Sequence, residues 1–316
     1  MHWLVTGGAG FIGSYLSEAL LERGDEVDVI DDLSTGQYKN IEHLEKNSRF
    51  TFIFGSILKE DVLDTYIQNC DGVFHLAASV GVRLIISEPI RTIETNILGT
   101  RAVLNVADVY KCKVLLASTS EVYGKNTNVP FTEEHDSVFG NAQKSRWSYA
   151  CSKAIDEFLA LAYLKESNLP IVIIRYFNVI GPKQTGQYGM VVPRFIEKAL
   201  ENEPIPVYGD GNQSRCFLDI RDAVDATIKL MECQEAIGQV FNLGNDNEIS
   251  IAELARKIKE LTKSQSTIDF IPYEQAYEKG FEDMRQRIPN INKIKQFIGF
   301  TSKYDLDSTL KFIIKN

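Results

Sequence analysis

The sequence predicts a doubly wound α/β fold of the Rossmann type with a smaller C-terminal lobe, on three observations. Short apolar or β-branched segments recur through the first half with little polar alternation, as in parallel strands covered on both faces. Segments of helical periodicity lie between them. A glycine-rich turn joins the first strand to the first helix. The predicted strands cover residues 3–5, 26–30, 50–54, 72–76, 114–118 and 171–175.

Apolar periodicity and end signals predict the helices. Leu16 and Leu20 share one face of the first helix, and Gly24 is placed to end it. Ser250 and Glu253 form a capping box before the last predicted helix. The further predicted helices cover residues 89–110, 149–164, 193–201, 221–232 and 251–262.

The composition changes after about residue 178, where glycine and proline become frequent. We therefore predict a Rossmann domain over residues 1–178 and a smaller lobe over residues 179–316. This lobe is expected to close over the carboxyl edge of the sheet, where such folds bind ligands. Residues 220–247 are a candidate segment to return to the first domain.

Charge and cysteine content narrow the class of protein. The chain has 316 residues and a net charge of −9, which argues against nucleic-acid or anionic-membrane partners because these bind basic faces. The five cysteines are odd in number and form no CxxC pair, so we expect neither a disulfide framework nor a metal site. We also expect no signal peptide and no membrane span, and therefore a cytoplasmic location.

The glycine turn is the first sign of a cofactor. Its GxxGxxG spacing permits a tight turn, a close backbone approach to a pyrophosphate, and close packing of helix on strand. The phosphates would then lie at the positive N-terminus of the helix. The turn residues predicted to bind the cofactor are Gly7, Gly10, Phe11, Ile12 and Gly13.

An acidic residue at the end of the second strand indicates which dinucleotide is bound. Asp31 follows Gly13 by 18 positions, so its carboxylate can accept hydrogen bonds from the ribose hydroxyls of NAD. Asp31 and its neighbour Asp32 would repel the 2′-phosphate of NADP. The sequence therefore favours NAD as the cofactor.

Five residues form a candidate catalytic set. Tyr149 and Lys153 are four positions apart on a predicted helix, so both project from one face. A nearby ammonium lowers the pKa of a phenol, and such a tyrosine can accept the proton of a sugar hydroxyl. A predicted buried strand ends in Thr119, Ser120 and Glu121, which would project at the same edge of the sheet.

Together these motifs resemble the extended short-chain dehydrogenase/reductase family, in particular its NAD-dependent nucleotide-sugar epimerases, dehydratases and decarboxylases. The resemblance covers nearly the whole chain. Besides the residues named above, it rests on residues 75–78, 95–100, 118–124, 175–182, 206–211, 213–217 and 285–289.

The resemblance implies roles for further residues on the cofactor side. Thr119, Tyr149 and Lys153 would be the catalytic Ser/Thr–Tyr–Lys set. Ser56 stands where many relatives carry Asp beside the adenine, which puts that contact in doubt. The residues that would line the nicotinamide side are Leu76, Ala77 and Ala78.

The resemblance also implies a nucleotide-sugar site. Asn178 would contact the diphosphate, and Arg215 and Arg287 would clamp it, since a planar guanidinium suits phosphate oxygens. Val192 and Tyr208 would flank the base and its ribose. The expected substrate is a nucleotide sugar, with a UDP-sugar favoured.

All three branches of the family oxidise the sugar at C4 and later return the hydride. An epimerase re-reduces the other face of the ketone. A 4,6-dehydratase expels the C6 hydroxyl. A decarboxylase acts on a uronate, which the 4-ketone converts into a β-keto acid that loses CO₂.

The resemblance favours the decarboxylase branch, specifically conversion of UDP-glucuronate to UDP-xylose. A simple 4-epimerase does not need Glu121, and Ser120 replaces the acid of one dehydratase class. Residues 144–153 are similar to UDP-apiose/xylose synthase, with Ser148 where dehydratases tend to have proline.

Two alternatives stay open. Residues 80–83 and 189–193 are more similar to nucleotide-sugar 4-epimerases, and GDP-mannose dehydratases share the triplet at residues 119–121. A non-catalytic NAD sensor is a remote third alternative, because such proteins lack the catalytic Tyr or Lys. Relatives form homodimers through the helices that correspond to residues 89–110 and 149–164, so the resemblance also implies a homodimer.

Overall fold

The structure is a computed structural model that describes residues 1–81, 87–144, 147–186, 190–276 and 284–316. Some residues of the motifs compared above, at positions 82–83, 145–146 and 189, lie outside these ranges. The strands are β1 (His2–Thr6), β2 (Glu26–Asp31), β3 (Phe50–Phe54), β4 (Gly72–His75), β5 (Lys113–Thr119), β6 (Ile171–Tyr176), β7 (Val179–Ile180), β8 (Ile205–Tyr208), β9 (Ser214–Cys216), β10 (Leu218–Asp219), β11 (Val240–Leu243), β12 (Glu248–Ser250) and β13 (Ile268–Ile271). The helices are α1 (Phe11–Glu22), α2 (Glu60–Ile67), α3 (Pro89–Tyr110), α4 (Ser148–Ser167), α5 (Val191–Leu200), α6 (Ile220–Glu232), α7 (Ile251–Thr262), α8 (Tyr273–Ala276), α9 (Asn292–Ile298) and α10 (Leu306–Lys315).

The first half of the chain forms most of one parallel sheet. Within the described ranges this sheet has seven strands in the order β11-β6-β5-β4-β1-β2-β3. The strand order reverses beside β1, where Val5 lies opposite Val29 of β2 on one side and Phe74 of β4 on the other. The predicted Rossmann fold is confirmed, and the six predicted strands differ from the observed ones by at most one residue at either end.

Both faces of the sheet are covered, which explains why its strands are apolar without alternation. In β1, Val5 belongs to the core that contains Leu16 of α1 and Ile220 of α6. The preceding residue, Leu4, belongs to the core on the other face, with Val103 of α3. Helices α1 and α6 therefore pack on one face, and α2, α3 and α4 pack on the other.

The second half of the chain has its own core and returns once to the sheet. Phe195, Val207, Leu254 and Leu310 are among the residues of this separate core. The same half of the chain contains three short pairs of strands, β7–β10, β8–β13 and β9–β12. Between them the chain runs through α6, which packs on α1, to β11, which pairs with β6. The capping box predicted before α7 is present, with Ser250 as the N-cap residue.

The predicted α5 begins at residue 193, whereas the observed helix begins at Val191. Pro193 therefore lies inside the first turn, where a missing N–H costs no intrahelical hydrogen bond. None of the helices in the described ranges is long and apolar enough to cross a membrane.

Candidate active site

A cavity of about 400 Å³ lies at the carboxyl edge of the sheet. Residues that directly follow β1, β2, β4, β5 and β6 line it, because parallel strands all end at the same edge. The chain thus brings residues from many positions into one site. Seventeen of the predicted site residues line the cavity: Gly7, Gly10, Phe11, Ile12, Gly13, Asp31, Asp32, Leu76, Ala77, Ala78, Thr119, Ser120, Glu121, Tyr149, Lys153, Asn178 and Arg287.

Three predicted substrate-binding residues are not part of this lining. Val192 is only 1% exposed, because its side chain packs in the second core. The ring of Tyr208 lies 4.4 Å from the guanidinium of Arg194. Arg215 is buried, and its Nη1 donates to the backbone oxygen of Ser214 at 2.7 Å. Their predicted contacts with the nucleotide stay predictions.

The glycine turn is tight enough to exclude side chains at two positions. Gly7 has a φ of +73°, and a Cβ there would lie 2.7 Å from the backbone nitrogen of Ala77. A Cβ at Gly13 would lie 2.3 Å from the oxygen of Gly7. Helix α1 begins directly after the turn, and the first N–H groups of a helix have no partner inside it. The turn therefore has the shape and polarity that a pyrophosphate requires.

Asp31 is held in place by the same turn. Its Oδ2 accepts a hydrogen bond from the backbone nitrogen of Ala9 at 3.0 Å, and its Oδ1 accepts one from Leu33 at 2.8 Å. Burial raises the pKa of Asp31, and these two backbone hydrogen bonds lower it. Asp32 instead accepts from the backbone nitrogen of Ser34 at 3.0 Å and so caps the following turn. Asp31 is thus the better placed of the two to meet a ribose.

Helix α4 presents the predicted catalytic pair. Tyr149 and Lys153 lie one turn apart on this helix, and both line the cavity. Burial, followed by the charge of Glu121, raises the pKa of Tyr149 well above its ordinary value. A hydrogen bond from Thr119 lowers that pKa, so Thr119 favours the phenolate. The tyrosine needs such help, and positive charge as well, to act as a base.

A buried ion pair lies beside Tyr149, the predicted catalytic tyrosine. Nη2 of Arg287 is 2.6 Å from Oε1 of Glu121, and the two side chains are 10% and 13% exposed. Nη1 of Arg287 also reaches Oδ1 of Asn178, at 3.5 Å. The chain turns sharply after β5, where Thr119 Oγ1 accepts from the backbone nitrogen of Glu121 at 3.2 Å. These contacts place a guanidinium and a carboxylate next to the reacting end of the cavity.

His75 ends β4 behind the cavity and is fully buried. Its Nδ1 lies 2.8 Å from Oγ1 of Thr6, and its Nε2 lies 3.1 Å from Oγ1 of Thr100. Burial, with a smaller contribution from the charge of Lys153, lowers the pKa of His75 to about 3. A neutral imidazole held between two hydroxyls indicates a structural role for His75.

Sequence reasoning missed several residues in and beside the cavity, and two of them carry charge. Asp156 accepts a hydrogen bond from Nζ of Lys153 at 2.7 Å inside the protein. Its position three residues after Lys153 on the predicted helix was the sequence feature that could have indicated this contact. Lys183 lines the cavity and donates to Glu18 Oε1 at 2.5 Å and to the backbone oxygen of Asn40 at 3.2 Å. It directly follows Gly181-Pro182, at the end of a segment already compared with the family.

Residues 4–313 match the protein family described as GDP-mannose 4,6 dehydratase. The chain belongs to this family. It is therefore an extended short-chain dehydrogenase/reductase, of the nucleotide-sugar epimerase and dehydratase type.

Individual members of the family are similar over the whole chain. UDP-N-acetyl-alpha-D-glucosaminuronate decarboxylase of Bacillus cytotoxicus is 44% identical over 313 residues, covering 99% of this chain and 96% of that protein. UDP-glucuronic acid decarboxylase 2 of Arabidopsis thaliana is 36% identical, covering 99% of this chain and 67% of that protein.

A solved structure shares the fold closely. UDP-glucuronic acid 4-epimerase of Bacillus cereus, in complex with UDP-glucuronic acid and NAD, superposes with a TM-score of 0.90 at 31% identity. The match covers 100% of this chain and 98% of that one.

Proposed function

We propose that this chain is an NAD-dependent decarboxylase of UDP-linked uronates that acts through a 4-keto intermediate, with UDP-glucuronate converted to UDP-xylose. The observation that carries the proposal is the buried pair of Glu121 and Arg287 beside Tyr149. A uronate differs from a hexose by a carboxylate at C6. A guanidinium at this place offers that carboxylate a two-pronged partner.

The residues of the cofactor half fit NAD. The turn at Gly7, Gly10 and Gly13 leaves room for a pyrophosphate at the start of α1. Asp31 is held by two backbone N–H groups, so its carboxylate is oriented before a ribose arrives. When bound, NAD supplies a hydride acceptor that later returns the hydride. The epimerase of known structure, at 31% identity, carries NAD.

Tyr149 is the proposed base for the sugar C4 hydroxyl. Thr119 assists because its hydrogen bond favours the phenolate over the phenol. Lys153 lies one turn away on α4 and contributes positive charge to the same end of the cavity. Oxidation at C4 then places a ketone β to the C6 carboxylate.

Arg287 and Glu121 are proposed to handle that carboxylate, together with the buried Ser120. For Arg287, whose Nη2 contacts Glu121 beside Tyr149, this role replaces the diphosphate contact that the resemblance implied. Arg287 would orient the carboxylate by paired hydrogen bonds. Glu121 places a second negative charge against the same guanidinium. Its repulsion destabilises the bound uronate carboxylate and so favours loss of that group as neutral CO₂. The C5–C6 bond breaks, its electron pair moves into the ketone as an enolate, and Tyr149 or a water returns a proton to C5.

Similar proteins support the decarboxylase over the alternatives and add a second substrate. The relative from Bacillus cytotoxicus, at 44% identity, is named for a uronate that carries a 2-acetamido group. The Arabidopsis relative, at 36%, is named for glucuronic acid. UDP-N-acetylglucosaminuronate is therefore the second candidate substrate. Epimerisation of the same uronates is the main alternative reaction, because the epimerase from Bacillus cereus binds UDP-glucuronic acid.

We also propose a homodimer and a cytoplasmic location. Helices α3 and α4 pack side by side and leave Ile90, Leu98, Ile155 and Phe158 exposed. Apolar side chains in such number on two neighbouring helices are typical of an interface. The location is supported by the cysteines, all five of which carry free thiols.

The decisive experiment incubates the purified protein with each of the two UDP-uronates and catalytic NAD, and identifies products by mass spectrometry. We expect a product lighter by one CO₂ from at least one of them. An unchanged mass with a new retention time would instead identify an epimerase. Loss of water from a nucleotide hexose would identify a dehydratase. NAD binding with no turnover of any of these sugars would favour a sensor.

A further inference from the structure

The catalytic lysine is bound to an acidic residue that the proposed reaction does not use. Nζ of Lys153 donates to Oδ2 of Asp156 at 2.7 Å. The side chains are 3% and 0% exposed, so this ion pair is almost completely removed from solvent. Both belong to α4, three residues apart. No surface role explains a carboxylate in such a position.

Asp156 is also linked to the sheet through a buried chain of polar groups. Oγ1 of Thr6 accepts from the backbone nitrogen of Ala77 at 3.3 Å and lies 2.8 Å from Nδ1 of His75. Nε2 of His75 lies 3.1 Å from Oγ1 of Thr100 on α3. A hydrogen bond from Thr100 helps lower the pKa of Asp156, against burial, which raises it. The carboxylate is therefore stabilised from α3 as well as by Lys153.

A buried ammonium is costly unless a negative charge accompanies it. Without a counter-ion, burial disfavours the charged form of lysine and favours the neutral amine. Removing one partner of a buried ion pair typically leaves an uncompensated charge that the protein relieves by losing or gaining a proton. Of the charged groups that face Lys153 from the elements around it, Asp156 is the one in hydrogen-bond contact. From the sheet, His75 faces this pair as a neutral side chain, because burial and the charge of Lys153 lower its pKa.

We propose that Asp156 is a positioning residue of this active site, which keeps the Lys153 ammonium charged and holds it one helical turn from Tyr149. This inference rests on the proposed function, because it takes Tyr149 as the base. Asp156 itself does not line the cavity and acts through Lys153.

The direction in which Asp156 shifts the pKa of Tyr149 distinguishes this positioning role from the effect of a nearby negative charge alone. Among the charged groups with the largest effects on Tyr149, Glu121 and Asp156 raise its pKa and Arg287 lowers it. If Asp156 were only a nearby negative charge, neutralising it would lower the pKa of Tyr149. If Asp156 maintains the Lys153 charge, neutralising it removes the cation that favours the phenolate, and the pKa of Tyr149 rises.

The test is a titration of Tyr149 by ultraviolet difference spectroscopy, with and without saturating NAD. The chain has 13 tyrosines, so the spectrum of a Tyr149→Phe variant is subtracted as the blank for each protein. We expect Asp156→Asn to raise the midpoint by about one pH unit or more, roughly a tenfold loss of phenolate at fixed pH. Lys153→Met should give the same midpoint, and the double variant should shift it no further.

Two controls complete the design. Asp156→Glu keeps the charge and should return the midpoint close to that of the unaltered protein. Asp108→Asn removes the acid of an exposed Lys–Asp pair with the same spacing on α3 and should leave the midpoint unchanged. A midpoint that falls or stays constant in Asp156→Asn would overturn the proposal. If this variant does not fold, a Lys153→Met midpoint equal to that of the unaltered protein would overturn it too.

The titration does not depend on turnover. It therefore stays interpretable if the chain proves to be an epimerase, and failure of decarboxylation would count against the proposed function alone.

Discussion

Arg287 and Glu121 are 166 positions apart in the chain, yet Nη2 of the arginine lies 2.6 Å from Oε1 of the glutamate. Glu121 follows β5 of the sheet, whereas Arg287 comes from the C-terminal part, between β13 and α9. The contact therefore joins the two halves of the molecule at the cavity. We therefore expect a substrate group that displaces one of these side chains to alter the contact between the two halves.

Arg287→Lys tests whether the planar guanidinium handles the uronate. We expect kcat/KM to fall by roughly 100-fold, because lysine keeps the charge but cannot form two parallel hydrogen bonds. NAD affinity should stay within about threefold, since the residues proposed to hold NAD are the glycine turn and Asp31 and do not include Arg287. Arg285→Lys, at a side chain that is 84% exposed, is the matched control and should behave like the unaltered protein. Steady-state kinetics and calorimetric NAD titration provide the two measurements. Equal losses of kcat/KM and of NAD affinity would contradict the assignment of Arg287 to the uronate carboxylate.

Asp31→Ser tests the choice of cofactor. The unaltered protein should bind NAD at least about 100-fold more tightly than NADP, because a carboxylate at the ribose repels the 2′-phosphate. The serine variant should lose most of this preference, mainly through weaker NAD binding. Asp32→Ser should change the ratio much less, since Asp32 caps the turn at Ser34. Dissociation constants for NAD and NADP are measured by fluorescence titration. A larger loss of NAD preference in Asp32→Ser than in Asp31→Ser would show that Asp31 is not the residue that selects NAD.

His75→Gln tests the pH dependence of stability. The pKa of His75 is lowered to about 3 in the folded protein, so the unfolded chain binds a proton on His75 between about pH 6 and pH 3 and the folded protein does not. Stability is therefore lost as the pH falls through this window, by about 1.4 kcal/mol per pH unit from this residue. Between pH 6 and pH 4 the variant should lose roughly 2 kcal/mol less free energy of unfolding than the unaltered protein.

Urea unfolding at both pH values measures this difference. His43→Gln replaces an exposed histidine and serves as the control. If the free energy of unfolding changed with pH equally in the unaltered protein and in the His75 variant, His75 would not be a neutral imidazole in the folded protein.

Phe158→Glu tests the proposed homodimer. Phe158 is 75% exposed on α4, and a carboxylate in an apolar interface cannot be solvated. Sedimentation velocity should show a monomer, or a dimer weakened by at least about tenfold. Phe54→Glu, at a side chain that is 71% exposed on β3, should leave the dimer intact. A dimer of unchanged strength in the Phe158 variant would place the interface elsewhere.

The sheet was predictable because its signals are local. Most strands of the first half are short, apolar and buried on both faces, so they stand out against the helical periodicity around them. The edge strand β3 is partly exposed. The pairs β7–β10 and β9–β12 escaped prediction, because strands of two or three residues carry no period. β11 was foreseen only as part of a returning segment, since its place beside β6 depends on long-range pairing.

The site was predictable where residues follow strand ends and not where side-chain direction decides. Thr119, at the end of β5, lines the cavity as its position implied. Tyr149 lines it from the predicted helix, and Asn178 lines it as the resemblance implied. Val192 does not line it, because the same face of α5 carries Phe195 into the core. The contact between Arg287 and Glu121 has no signature in sequence spacing, because nothing local determines how two distant loops meet.

The position of β11 has a consequence for how the chain is made. Sixty-three residues separate the end of β6 at Tyr176 from Val240, so β6 stays an open edge of the sheet until that whole stretch has been synthesised. Unpaired apolar edges readily pair with other chains. A nascent chain that ends after Asn178 carries the glycine turn and Tyr149, yet it exposes β6 to neighbouring chains on the same message. We therefore expect slower elongation through this stretch to prolong the exposure of that edge and to increase aggregation.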